Sequence, residues 1–293
     1  MAEPLNAETA AMLDKSVSER KAYIQDSKFI FYAETLEILK DFEELVKHTK
    51  IDRMPNYLLI GETNNGKSAI LREFESRYPV ENLPGIGPQV RVLYFQTPAK
   101  ADESRLYSAI LEHLNHPHND SDIASNKLKQ VKMLIKTLGL RVLVIDELHN
   151  IAPATANKQR DFLVTLKYLC NELRISMICA GTQQVWDVVS FDDQLKNRFE
   201  PIRLKSWTTK PQDFIAFLAA YETRLPLKKT SNLTQKTLAT EIFKMGEGLI
   251  GEYVTILKKS AIHALESGDE KITRETLSKI KYTRPSDRGD MAA

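Results

Sequence analysis

Apolar positions recur at helical spacing through the first fifty residues, where Phe31, Tyr32, Leu36, Leu39 and Phe42 make one stripe on an acid-rich segment. Met54-Pro55-Asn56 breaks that pattern and precedes a short apolar run, 57–60, of the kind that forms a buried strand. Helical spacing returns over 69–77 through Ile70, Leu71 and Phe74. The Pro- and Gly-rich stretch 79–88 is expected to be a loop. Further strand candidates lie at 90–95, 142–145, 175–180 and 202–204, with helical patterns between most of them. Strands alternating with helices predict a parallel sheet covered on both faces. After Trp207 the strand signals stop, and 211–221, 234–245, 252–265 and 273–280 all read as helices. Residues 285–293 read as a disordered tail. The expected architecture is therefore α/β. A helical N-terminal arm (1–50) leads into an α/β core (51–205), a small all-helical domain (206–283) and a tail (284–293).

Composition narrows this only a little. With 293 residues, 42% apolar and 27% charged, the chain has the make-up of an ordinary globular protein of one large domain or two modest ones. No apolar run approaches the roughly 18 residues of a membrane span. The polar, mixed-charge start, Met1 to Arg20, is unlike a secretory signal. Two cysteines, Cys170 and Cys179, are too few for a disulfide framework, so a reducing cytoplasm is the expected compartment. No Cys/His grouping has metal-ligand spacing, and a zinc site is not expected. There are no internal repeats. The net charge of +2 does not mark a nucleic-acid binder, but residues 123–145 hold Lys127, Lys129, Lys132, Lys136 and Arg141 with no Asp or Glu.

The chemistry concentrates between the first strand and the helix after it. Gly61-Glu62-Thr63-Asn64-Asn65-Gly66-Lys67-Ser68 has the two glycines, lysine and hydroxyl of a P-loop. The glycines let the backbone curl so that successive N–H groups face phosphate oxygens, from Gly61 on to Ala69. Lys67 is expected to reach the β- and γ-phosphates of ATP, and Ser68 to supply an oxygen to Mg²⁺. The helix N-terminus adds its own attraction for anions. Val142 to Glu147 is an apolar strand ending in two carboxylates. Asp146 fits the magnesium-holding acid of a P-loop site, and Glu147 is placed to polarise the attacking water.

Three weaker candidates follow. Thr182, in Gly181-Thr182-Gln183 after the strand 175–180, is placed to sense the γ-phosphate or orient water. Arg198, just before the last strand candidate, is either a surface arginine or a finger projecting into a neighbouring subunit's site. Lys129, Lys132 and Lys136 share one helix face at i, i+3 and i+7, which serves either solvent or a phosphate backbone. Trp186 and Trp207 are expected to be packing residues rather than platforms for bases.

With these pieces placed, the chain resembles the AAA+ ATPases, and more closely the TniB-type ATPase subunits of transposons, relatives of TnsC. The stretch from Arg53 to Ser68, with the double asparagine Asn64-Asn65 inside its P-loop, carries the resemblance, together with Gly246 to Glu252. It runs from about residue 20 to 282. The resemblance implies an AAA+ core with a helical lid. It implies an ATP- and Mg²⁺-dependent oligomer, ring or filament, on double-stranded DNA. Such an oligomer would hand the target to a DDE-type transposase with a TniQ-like protein as another partner, and no membrane is involved. By family position, Phe31 and Tyr32 fall where adenine is held, and Lys100 falls near the DNA backbone. Many AAA+ proteins place an arginine after the glycine of a late helix, where it meets the γ-phosphate; here Gly251 is followed by Glu252. Lys258 and Lys259 begin about 9 Å further along that helix, too far to substitute, so hydrolysis is expected to be slow or dependent on DNA and partners. The alternatives are a helicase-loader-like ATPase, a nucleotide-gated interaction module with little hydrolysis and, less attractively, a small-molecule kinase.

Overall fold

The computed structural model describes residues 5–26, 29–190, 193–207 and 211–288. In chain order the elements are α1 (Ala7–Ala11), α2 (Val17–Gln25), α3 (Ala33–Lys47), β1 (Asn56–Gly61), α4 (Lys67–Ser76), β2 (Glu81–Leu83), β3 (Gly87–Gln89), β4 (Val92–Gln96) and α5 (Glu103–His113). There follow α6 (Ala124–Thr137), β5 (Val142–Asp146), α7 (Ala156–Leu173), β6 (Ser176–Gly181), α8 (Gln183–Ser190), α9 (Asp193–Lys196) and β7 (Phe199–Leu204). Four helices end the chain: α10 (Pro211–Glu222), α11 (Lys236–Gly246), α12 (Ile250–Glu266) and α13 (Arg274–Lys279). Contacts divide these elements into two compact units.

One unit holds residues 37–63 and 67–204 and contains the sheet. Its five strands run in the order β4-β5-β6-β1-β7, and every pairing is parallel. Parallel strands buried on both faces need near-continuous apolar sequence, and β5 is buried at every position. The Val/Ile/Leu-rich runs chosen from the sequence are these strands, with ends shifted by at most three residues. The exception to the pattern is the expected loop at 79–88, which contains the antiparallel pair β2–β3. Its strands are three residues long and only Gln89 is buried, so they carry no apolar periodicity. Phe42 of α3 packs its ring against Tyr57 and Phe74. Leu36, assigned to the same stripe, is instead 51% exposed.

The second unit groups the first 36 residues, Asn64–Gly66 and the chain from Lys205 onward. The N-terminal segment therefore does not act as one arm of fifty residues: α2 belongs with the C-terminal helices. Arg20, 2% exposed, reaches Glu270 at 2.5 Å and donates to the carbonyl of Pro226. Trp207 is the centre of this unit's core, with the rings of Tyr32, Phe217 and Tyr253 within 6 Å, so it packs as the sequence reading expected. The segment 284–293, expected to be a disordered tail, is ordered in its described part. Residues 284–288 are hydrogen-bonded, Ser286 to Glu247 and Arg288 to Glu252, while 289–293 lie outside the described residues. Among the described residues no helix is long and apolar enough to cross a membrane.

Candidate functional site

Parallel strands deliver their C-terminal ends to one edge of the sheet, and in such sheets ligands bind outside those ends. The P-loop leaves β1, Thr182 follows β6, and Asp146 with Glu147 ends β5. With β6 between β1 and β5, these groups form a row about 10 Å long at the usual strand spacing.

The loop turns through two left-handed residues, Asn64 at φ 61° and Gly66 at φ 85°. Gly66 is required there, because a side chain would meet both that strain and the Ile250 methyl at 3.1 Å. Glu62 and Thr63 are exposed, Asn65 is 3% exposed, and Ser68 and Ala69 follow Lys67 in the first turn of α4. Lys67 is buried, its Nζ donating to the carbonyls of Gly61 at 2.9 Å and Glu62 at 2.8 Å. Burial pushes its pKa down, while Glu147, Asp146 and Glu62 pull it back part of the way. A desolvated lysine beside carboxylates and a curled loop is a cation prepared for a polyanion.

Asp146 is 0% exposed. Its Oδ1 accepts the Glu147 N–H at 2.8 Å, and its Oδ2 accepts the Tyr94 hydroxyl at 2.9 Å. Its backbone carbonyl accepts both the N–H and the hydroxyl of Thr97. This carboxylate is aimed by its neighbours, which is how metal-holding acids are kept in place. Tyr94 on β4 was missed in the sequence, where it read as one more apolar strand residue. Glu147 adopts a left-handed conformation, φ 54° and ψ 34°, unusual for a residue with a side chain. Its Oε2 lies 3.0 Å from His149 Nε2, a second partner the sequence reading overlooked. Thr182 Oγ1 is buried with no hydrogen-bond partner among the described residues, an orphan of the kind a phosphate oxygen or an ordered water would satisfy. Together the residues fit a magnesium nucleotide: Ser68 and Asp146 as oxygen donors to the ion, the loop and Lys67 for phosphate.

Other sequence candidates fare less evenly. Tyr32 is buried, edge-on to Trp207 at 5.1 Å, whereas Phe31 is 38% exposed. Arg198 turns back onto its own unit, donating to Asn171 Oδ1 at 2.7 Å. The basic face of α6 is thinner than its sequence suggests. Lys127 is buried and bonded to Ser104, Ser108 and the Asp120 carbonyl, and Lys132 is paired with Glu172 at 2.5 Å. Lys129, Lys136 and Lys100 are exposed. Glu112, His118 and Asp120 bring potential ligand atoms within 4.8 Å of one another, a grouping that local spacing did not reveal. Lys258 and Lys259 bond the carbonyls of Gln25 and Lys281, and so do not stand in for the missing arginine.

A five-stranded parallel sheet with this loop, this acid pair and a helical C-terminal region is the fold of the AAA+ ATPases, and solved structures share it. Cdc6p from Pyrobaculum aerophilum superposes with a TM-score of 0.63 at 18% identity, covering 89% of this chain and 71% of that one. The ORC1 protein of Aeropyrum pernix, solved in complex with DNA, gives 0.61 at 17% identity over 92% of this chain and 69% of that one. The ORC2 protein of the same organism, solved as ADPNP–ADP complexes, gives 0.63 at 14% identity over 89% and 72%. The fold is therefore that of the AAA+ P-loop ATPases. Within it, residues 20–209 match the model of the bacterial TniB protein, and the chain belongs to the TniB family. A search of curated proteins finds no match.

Proposed function

We propose that this ATPase assembles on double-stranded DNA in its ATP-bound form and delivers that DNA to a DDE-type transposase, with a TniQ-like protein as a further partner. The observation that carries the ATP-dependent part is the row formed by the loop, Thr182 and Asp146 with Glu147 on one edge of the sheet. Lys67 neutralises phosphate charge, Asp146 and Ser68 hold Mg²⁺, Glu147 orients and deprotonates the attacking water, and Thr182 supports the γ-phosphate. Arg198 would complete a neighbour's site after leaving Asn171. Phe31, exposed where Tyr32 is buried, is the better candidate of the two for adenine.

The DNA part is supported by family membership, by the fold shared with a protein solved on DNA, and by a cleft of about 980 Å³. Exposed Lys100, Arg105 and Lys158 line it, together with Asp102, Glu103 and Asp161. The Asp102 carboxylate is occupied in capping α5. Contact by cations on such a wall makes binding independent of sequence and sensitive to salt.

Competition between duplex and single-stranded DNA, with ATP, ADP or no nucleotide, tests this reading. ATP-dependent preference for duplex is expected, weakened by Lys100→Glu. Preference for single strands would favour the helicase-loader alternative, and binding indifferent to nucleotide would refute both.

A further inference from the structure

Glu252, in the first turn of α12, is 3% exposed, yet its carboxylate is fully occupied. Oε1 accepts from Asn64 Nδ2 at 2.8 Å and from Arg288 Nη1 at 2.9 Å. Oε2 accepts from the Tyr282 hydroxyl at 2.7 Å and from Arg288 Nη2 at 2.6 Å. Burial alone would push its pKa up, but the bonds from Arg288, Tyr282 and Asn64 outweigh that and hold the carboxyl below its usual range. Four donor hydrogens fill the acceptor capacity of a carboxylate. Glu252 is therefore not a group aimed at a phosphate; it is a junction.

One arm of the junction is the P-loop itself. Asn64 holds a left-handed conformation, and its carbonyl accepts the N–H of Gly251 at 3.0 Å. A Cβ at Gly251 would lie 1.9 Å from Asn64 Oδ1, so this approach admits only glycine. The other arm is the C-terminal segment. Arg288 also donates to the carbonyl of Thr283, and Ser286 N–H to Glu247 at 3.1 Å, which folds 282–288 onto the helical unit. The guanidinium meets Glu252 with two parallel bonds, the geometry that gives arginine–carboxylate pairs both strength and direction. Without it, a buried negative charge would remain hydrogen-bonded to a loop whose task is to receive a polyphosphate.

We propose that Glu252 is a positioning residue for nucleotide binding: it fixes Asn64 in the P-loop, and Arg288 of the C-terminal segment supplies the counter-charge that makes this possible. The inference rests on the P-loop being the nucleotide site. It gives the glutamate a role where an arginine is usual, and makes the C-terminal segment part of the nucleotide machinery.

The test is equilibrium binding of a fluorescent ATP analogue to the DNA-free 293-residue chain, with melting temperature measured in parallel. Asn64→Gly keeps the left-handed conformation accessible and removes the donor. Arg288→Ala and Asn64→Gly should each weaken binding by roughly tenfold, the size of effect common for residues in one network. The double variant should lose no more than about twofold beyond the worse single variant, because both cut the same chain of bonds. Arg288→Lys should recover part of the loss. Binding within twofold of the unmodified protein in Arg288→Ala, with only the melting temperature lowered, would overturn the proposal. So would losses that multiply in the double variant. Lys67→Ala separates the two readings. If it binds normally, the P-loop is not the nucleotide site; if it alone fails to bind, only the role of Glu252 is refuted.

Discussion

Replacing Tyr94 by Phe removes one oxygen and nothing else. The ring is 6% exposed and lies beneath the Arg72 guanidinium at 4.9 Å, contacts that Phe preserves. The hydroxyl donates to a carboxylate with no exposure to water. A hydrogen bond to a charged group is worth about 1.5–3 kcal/mol net, and here the acceptor cannot recruit bulk solvent in its place. Tyr94→Phe should therefore lower the free energy of unfolding of the sheet unit by about 2 kcal/mol, read as a shifted urea midpoint at constant slope. Because Asp146 would keep, among the described residues, only the Glu147 N–H on its side-chain oxygens, its aim at the proposed Mg²⁺ position should also loosen. Loss of such an outer partner commonly costs about 10–100-fold in metal affinity or activity, so the Mg²⁺ concentration for half-maximal ATP hydrolysis should rise. A pH signature accompanies the loss. Burial, with Asp146 adding to it, pushes the Tyr94 phenol from 10.0 up to about 12. The unfolded chain therefore gives up this proton first. The associated stability is complete below pH 10 and is lost as the pH rises from 10 through 12, and Tyr94→Phe should lack that part of the alkaline limb. An unchanged urea midpoint together with an unchanged Mg²⁺ dependence would refute the assignment of Tyr94 as the group that aims Asp146.

Three further outcomes are expected. Glu147→Gln should bind ATP normally but hydrolyse it about 10²–10⁴-fold more slowly, the usual contribution of a general base; single-turnover kinetics reads this directly. Arg198→Ala should leave nucleotide affinity intact and abolish only the hydrolysis that depends on assembly, seen as a rate no longer rising with protein concentration. Arg20→Ala removes the guanidinium from the partly buried Glu270 carboxylate, which keeps the Lys228 N–H, and from the buried Pro226 carbonyl. It should destabilise the helical unit by about 1.5–3 kcal/mol in chemical denaturation.

What the sequence disclosed was whatever is local. The P-loop declares itself because Gly61, Gly66, Lys67 and Ser68 stand within eight positions, and Asp146 because an apolar run of strand length ends on it. The parallel strands were legible for the same reason: burial on both faces requires unbroken apolar runs. Partnerships across the fold left no such trace. Tyr94 and Asp146 are 52 positions apart, and Asn64 and Glu252 are 188 apart. Charge misled where tertiary contacts override exposure. Lys127 looked like part of a basic face because nothing local says that Ser104, Ser108 and the Asp120 carbonyl enclose its ammonium. Leu36 looked like core because it keeps helical spacing with Leu39 and Phe42, yet it faces solvent. Glu252 read as an anomaly because its counter-ion, Arg288, lies in a segment whose composition resembles a loose tail.

ATP held by the P-loop is proposed to drive this TniB-family chain to assemble on duplex DNA. Electron microscopy of the protein with duplex DNA and a non-hydrolysable ATP analogue tests it most directly. Rings or filaments that need both DNA and nucleotide, and that Lys67→Ala abolishes, are the expected result. Protein that decorates DNA equally with and without nucleotide, or that stays monomeric when both are present, would contradict it.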